Sequence, residues 1–159
     1  MATRRELSRT TTVAQIKQAA LAQVAAHGAS ALSIRGVARA IGMSPAGMYR
    51  YYDSRDALLT DLLTDAYQDL AASVAKASGL APGSSGEEDD PADASRAGTP
   101  VISDPVAAML RAIEAYRAWA VANPERFLLI FGTPVPGYAA PEDGPTVAAN
   151  RRMGQVFFT

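Results

Sequence analysis

SIRGVARAIGMSPAGMYRYYDSRDALL, residues Ser33 to Leu59, packs two short helical patterns into one stretch with a break between them. Ile34, Val37, Ala38 and Ile41 recur at helical spacing behind Ser33, whose hydroxyl can cap the first turn. Gly42 supplies the left-handed residue that stops this helix, and Met43 is expected to turn inward. Ser44-Pro45 starts the next, because a proline at the first helical position loses nothing by lacking an N–H. That helix is expected to last only to about Tyr52, and it carries Tyr49, Arg50 and Tyr51. So short a rod cannot pack well on both sides. Its outer face is expected to touch something large and anionic.

Working outward, a helix is expected from Val13 to His27, with Thr11 or Thr12 as its cap and Gly28 as its stop. Val13, Ile16, Ala20 and Val24 form its inward stripe. On the other side Ser54 caps a long helix to about Ala77, with Leu58, Leu59, Leu62, Leu63, Ala66, Leu70 and Val74 inward. At its usual rise it runs roughly 36 Å, enough to leave a small head and enter a second unit. From Ser78 to Ser103 the chain is rich in Gly, Ser, Pro and acid and reads as a flexible loop. Its run Glu87 to Asp90 reads as solvated carboxylates, with no metal role expected.

Asp104-Pro105 reopens helix to about Asn123, with Val106, Leu110, Ile113 and Ala120 expected inward. Asn123-Pro124-Glu125 repeats the capping pattern for a shorter helix to Phe131. Gly132 to Pro145 reads as a turn-rich connection, and a last helix begins near Thr146 with Ala149, Met153, Val156 and Phe157 at helical spacing. The apolar end at Phe158-Thr159 predicts a shortened product, or an interface supplied from elsewhere. The expected fold is all-α: a three-helix head with a helix-turn-helix (1–53), joined by the long fourth helix to a truncated helical body (54–159).

Composition narrows the function. The 159 residues contain no cysteine, which excludes disulfides and thiolate metal sites and fits a cytoplasmic location. MATRRELSRTTT has cations but no apolar run behind them, so no signal peptide is read there, and no membrane span is expected. Up to Thr60 the cations outnumber the acids eight to three, whereas the net charge of the whole is -1. A basic first part suits a polyanion. The only histidine, His27, lies at a helix end, and no P-loop or ordered carboxylate pair is present, so neither an enzyme nor a cofactor is expected.

Two helices joined by a tight glycine turn, with a third before them, make a helix-turn-helix whose second member enters the major groove of double-stranded DNA. Arg50 and Arg55 can then offer charge to phosphates, while Tyr49 and Tyr51 offer hydroxyls. Ser33 and Ser44 bring helix N-termini and hydroxyls, Arg35 can reach backbone or base, and Pro45, Ala46 and Gly47 leave little bulk against the groove. Tyr52, four residues after Met48, is expected in the core. The competing readings are aromatic packing of Tyr49 and Tyr51 against the long helix, and a head that docks a protein instead of DNA.

Residues 13 to 63 resemble the N-terminal domain of the tetracycline-repressor (TetR/AcrR-like) family of bacterial regulators. The Ala-Ile-Gly-Met-Ser turn, the Met-Tyr-Arg-Tyr-Tyr run and the following Ser-Arg-Asp carry the resemblance. It implies phosphate contacts at Tyr49, Tyr51, Arg55 and Ser33, and groove-facing positions at Ser44 to Gly47. Tyr51 stands where histidine is usual, and Pro45-Ala46 where Lys-Gly or Arg-Gly is common, so sequence preference is expected to differ. YRAWAVANPERFLLIFGTPVPGYAAPEDGP is similar to the C-terminal domain of a WHG-type subgroup. That similarity implies a ligand-responsive repressor, homodimeric in the family, whose small-molecule effector shifts its two heads off half-sites roughly 34–36 Å apart. Apolar and aromatic character nominates Tyr67, Met109, Tyr116, Trp119, Phe127 and Phe131 for the effector site, with plain core as the alternative for each. The helices through which the family pairs are not read in this sequence, so a fragment that does not bind DNA by itself is the other expectation.

Overall fold

The computed structural model describes residues 4–79, 104–141 and 144–158, and among them it contains seven α-helices and no strand. The order is α1 (Arg4–His27), a 3₁₀ turn (Ala29–Ala31), α2 (Ile34–Ala40), α3 (Pro45–Met48), α4 (Arg55–Ser78), α5 (Pro105–Ala122), α6 (Pro124–Phe131) and α7 (Pro145–Phe158). No helix of the described residues is long and apolar enough to cross a membrane. The stretch from residue 80 to 103, with the Glu87–Asp90 run, lies outside the described residues.

The first helix begins well before the expected cap. Thr10, Thr11 and Thr12 donate their hydroxyls to the carbonyls of Glu6, Leu7 and Ser8 at 3.0, 2.9 and 2.9 Å. Threonine satisfied in this way continues a helix instead of capping it. Gly28, at φ 79, ends α1 as expected. The serine caps of the next three helices are in place: Ser33, Ser44 and Ser54 accept from the N–H groups of Gly36, Gly47 and Ala57. After α3 the chain tightens, with Arg50 N–H donating to Gly47 O and Tyr51 N–H to Met48 O, so the helix is shorter than expected.

Ile16, Ala20, Val37, Ala38, Met48, Leu58 and Leu59 fill the small core, closed by Tyr52. Leu58, Leu59, Leu62 and Leu63, from the start of α4, belong to this same core. Lys17 on α1 locks against α4, with Nζ 2.9 Å from Asp61 and 2.7 Å from Asp65. Tyr52 donates its hydroxyl to Asp61 at 2.6 Å.

α4 is the mast on which α5, α6 and α7 pack. Leu70, Val74 and Ala75 meet Ala112 and Trp119 there. Asp69 accepts from Trp119 Nε1 at 2.8 Å and from Arg126 at 2.6 Å, which ties α5 and α6 to the mast. The expected inward stripe of α5 is overturned: Val106, Leu110 and Ile113 are 70%, 57% and 50% exposed. Ala108, Ala112 and Trp119 face α4 instead. Both faces of α5 are apolar, and the small Ala112 packs with Ala75 of α4 in the shared core. Asn123 also departs from its expected role: its amide donates to Trp119 O at 3.0 Å, closing the end of α5, and makes no cap bond to α6.

Candidate nucleic-acid interface

The interface grows from the Ser44 cap. Ser44 leaves the turn extended (φ -70, ψ 147), its oxygen accepts from Gly47 N–H at 3.1 Å, and Pro45 and Ala46 follow at the exposed leading edge of α3. Met48 turns the opposite face into the core. Gly42, at φ 67, makes the tight turn that presents this edge. A serine acting as a cap acceptor still has its own O–H to donate, so Ser33 and Ser44 keep a proton for an anionic oxygen.

The helix-turn-helix carries exposed cations. Arg35 and Arg39 on α2 and Arg50 after α3 are exposed, and among the described residues none of them has a carboxylate partner. Lys17 and Arg126 are held by aspartates, while Arg111, Arg117 and Arg151 of the body are exposed and also without a carboxylate partner among the described residues. Tyr49 is 50% exposed, which argues against the packing alternative for its ring. Tyr51 is half-buried against the head core, and the guanidinium of Arg9 lies 5.7 Å from its ring centroid.

Two nominated residues are occupied with other work. Arg55 donates from Nε to Leu32 O at 3.1 Å and from Nη2 to Ser30 O and Ala29 O at 3.2 and 3.4 Å. It fastens the 3₁₀ turn to the start of α4, with Nη1 3.9 Å from Asp56. Gly47 points inward: a β-carbon there would meet Met43 Cγ at 3.0 Å, so its small size serves the turn before it serves a groove. Arg39 and Arg9 were not singled out from the sequence. Arg39 follows Arg35 by one turn, a usable signal, whereas Arg9 was set outside the fold by the late start expected for α1.

The six side chains nominated for an effector divide. Tyr116, Phe127 and Phe131 meet, with ring centroids 6.0 Å apart for Tyr116–Phe131 and 4.9 Å for Phe127–Phe131. Trp119 is buried beside them with its N–H on Asp69. Tyr67 packs toward the head core, where burial pushes its phenol pKa up, and Met109 is half-exposed. A separate cleft of about 500 Å³ lies between α4 and the connection to α7, bordered by Thr60, Asp61, Thr64 and Tyr138, and none of the six lines it.

Residues 16–62 match the family described as "Bacterial regulatory proteins, tetR family", and residues 106–159 match "Tetracyclin repressor-like, C-terminal domain". The chain belongs to the tetR family. It is 43% identical over 144 residues to the HTH-type transcriptional regulators Rv1816 of Mycobacterium tuberculosis (strain ATCC 25618 / H37Rv) and Mb1846 of Mycobacterium bovis. That alignment takes in 91% of this chain and 53% of each relative, so the chain spans about half the length of the curated relatives it matches. The solved structure of the regulatory protein SCO4313 superposes with a TM-score of 0.72 at 38% identity, covering 97% of this chain and 63% of that one. PfmR, a TetR family transcriptional regulator from Thermus thermophilus, shares the fold at 22% identity, with a TM-score of 0.63 over 89% of this chain and 65% of its own.

Proposed function

We propose that this tetR-family chain carries the DNA-binding head and part of the sensing body of a cytoplasmic transcriptional repressor. The observation that carries the reading is the helix-turn-helix itself, with the leading edge of α3 exposed at Ser44, Pro45 and Ala46, and with Arg35 and Arg39 on α2 and Arg50 just after α3 exposed and free of carboxylates. Cations left without partners on one side of a head are suited to phosphates, and a short capped helix between them is suited to a major groove. In this reading Ser44, Pro45 and Ala46 face the bases. Ser33, Arg35, Tyr49, Arg50 and Tyr51 hold the backbone, and Arg55 acts from behind by fixing the turn.

The body would receive a small apolar or aromatic effector at the Tyr116, Phe127 and Phe131 cluster, and α4 would carry the change to the head. Two copies would pair to read two half-sites. Arg50→Ala tests the core of the reading. Binding to a duplex of about three helical turns should weaken several-fold, and the slope of log K against log salt should become shallower by about 0.9. Affinity and slope equal to those of the parent chain would remove Arg50 from the interface. A parent chain whose binding ignores salt would favour a protein-docking head instead.

A further inference from the structure

The basic start of the chain has no role in the reading above, yet it is helical. From Glu6 to Thr11 every side chain of α1 is exposed, Leu7 among them at 59%, and Ile16 is the first residue fully in the core. The helix thus runs more than two turns beyond anything that packs it, although an unsupported helical end is marginal in water. One contact links this extension to the recognition segment: the Arg9 guanidinium lies over the Tyr51 ring, 5.7 Å from its centroid. Among the described residues no carboxylate pairs with Arg9, and the sequence adds Arg4 and Arg5 one turn earlier.

We infer that Arg9, seated on Tyr51, is a phosphate-binding residue, and that the exposed extension of α1 continues the DNA interface past the end of α3. An arginine lying over a ring keeps the N–H groups at its rim for hydrogen bonds, and a phosphate accepts them two at a time. The contact also fixes where the charge sits. Tyr51 directly follows Arg50 and is packed on the head core, so Arg9 is anchored to the segment that leaves the recognition helix. As a purely structural bond the pair explains little, because an exposed cation–π contact is weak and the extension it would secure has no buried surface of its own. The partner is the sugar–phosphate backbone beside the groove occupied by α3. This inference rests on the DNA-binding reading and adds to it a contact that reads no bases.

The test is anisotropy titration of the full chain on a labelled duplex of about three helical turns at several salt concentrations. Arg9→Ala should shallow the salt slope by about 0.9 and weaken binding several-fold, while the ranking of duplexes of different sequence stays unchanged. Arg9→Lys should restore most of the slope, a rescue that a merely structural role would not give, and melting curves should match the parent in both variants. A slope for Arg9→Ala equal to the parent's overturns the inference; so does Arg9→Lys behaving like Arg9→Ala. If the parent binds and Arg50→Ala weakens it while Arg9→Ala does not, the extension alone is wrong. If the parent shows no salt-dependent binding, the DNA reading fails with it.

Discussion

The head and the body of this chain differ in how apolar their helices are, α5 and α6 being more apolar than α1, and in how far they bury those residues. In the head, α1, α2, α3 and the first half of α4 bury Ile16, Val37, Met48, Leu58 and Leu59, with Leu129 and Ile130 of α6 packed against the same cluster. In the body, α6 has no buried residue and α5 turns Val106, Leu110 and Ile113 to solvent. On α5 in particular, Ala108, Ala112 and Trp119 are buried while Val106, Leu110 and Ile113 are exposed. The difference teaches that hydrophobic residues locate a core only where all its walls are specified nearby in sequence. Most walls of the head come from one stretch, whereas the body packs along α4, with α6 lying against α1 as well.

The contrast is broken most easily by truncation on either side of it. Leu58→Ala removes a fully buried side chain from a closed core and should cost about 2–5 kcal/mol in urea unfolding. Leu110→Ala removes an equally large side chain from an open face and should stay within roughly 0.5 kcal/mol. A Leu110 variant as unstable as the Leu58 variant would mean that the α5 face is buried in solution, and the comparison would fail.

The legibility of the sequence follows the same division. The serine caps, the Gly42 turn and the inward stripe of α4 stand where local chemistry puts them, because each depends on neighbours within one or two turns. The face of α5 departs from expectation because large residues are more hydrophobic than alanine, whereas Ala112 and Trp119 are the residues that meet Leu70, Val74 and Ala75 of α4. The start of α1 was missed because threonine suits a cap and a back-bonded helix alike, and no periodic apolar residue marks its first turns. In the candidate interface, exposure at Arg35, Arg50, Tyr49 and Ser44 was readable from spacing. The carbonyl partners of Arg55 were not, since they lie more than twenty positions away.

A smaller effect sharpens the view of the body as something tied to α4 at a few points. Asp69 takes two donors on one oxygen, Trp119 Nε1 and Arg126 Nη1. Asp69→Asn removes the charge and leaves one weaker acceptor, so it should cost about 1 kcal/mol, less than a buried charged bond because the site is partly solvated. Trp119 fluorescence should report the loss directly. It should soften at lower urea than the far-ultraviolet helix signal, whereas in the parent the two transitions coincide. Coincident transitions in the variant would show that Asp69 does not hold the body in place.

The smallest expected effect belongs to the junction itself and depends on pH. Burial of the Lys17 ammonium pulls its pKa down, but the hydrogen bonds and charges of Asp65 and Asp61 outweigh this and leave it above the ordinary lysine range. Burial pushes the Tyr52 phenol up, and its hydrogen bond to Asp61 with the charges of Asp61 and Asp65 pushes it further. Both groups keep their protons in the folded chain at a pH where the unfolded chain releases them. Their contribution is therefore whole below about pH 10, near the unfolded values, and is lost as pH rises through the folded ones. Urea midpoints should fall on the alkaline side, and the fall should flatten in Tyr52→Phe and in Lys17→Met, each of which removes one titrating group. Because Lys17 and its aspartates are partly open to water, the change is modest. A decline as steep in both variants as in the parent would place the alkaline sensitivity outside the Lys17, Asp61, Asp65 and Tyr52 cluster.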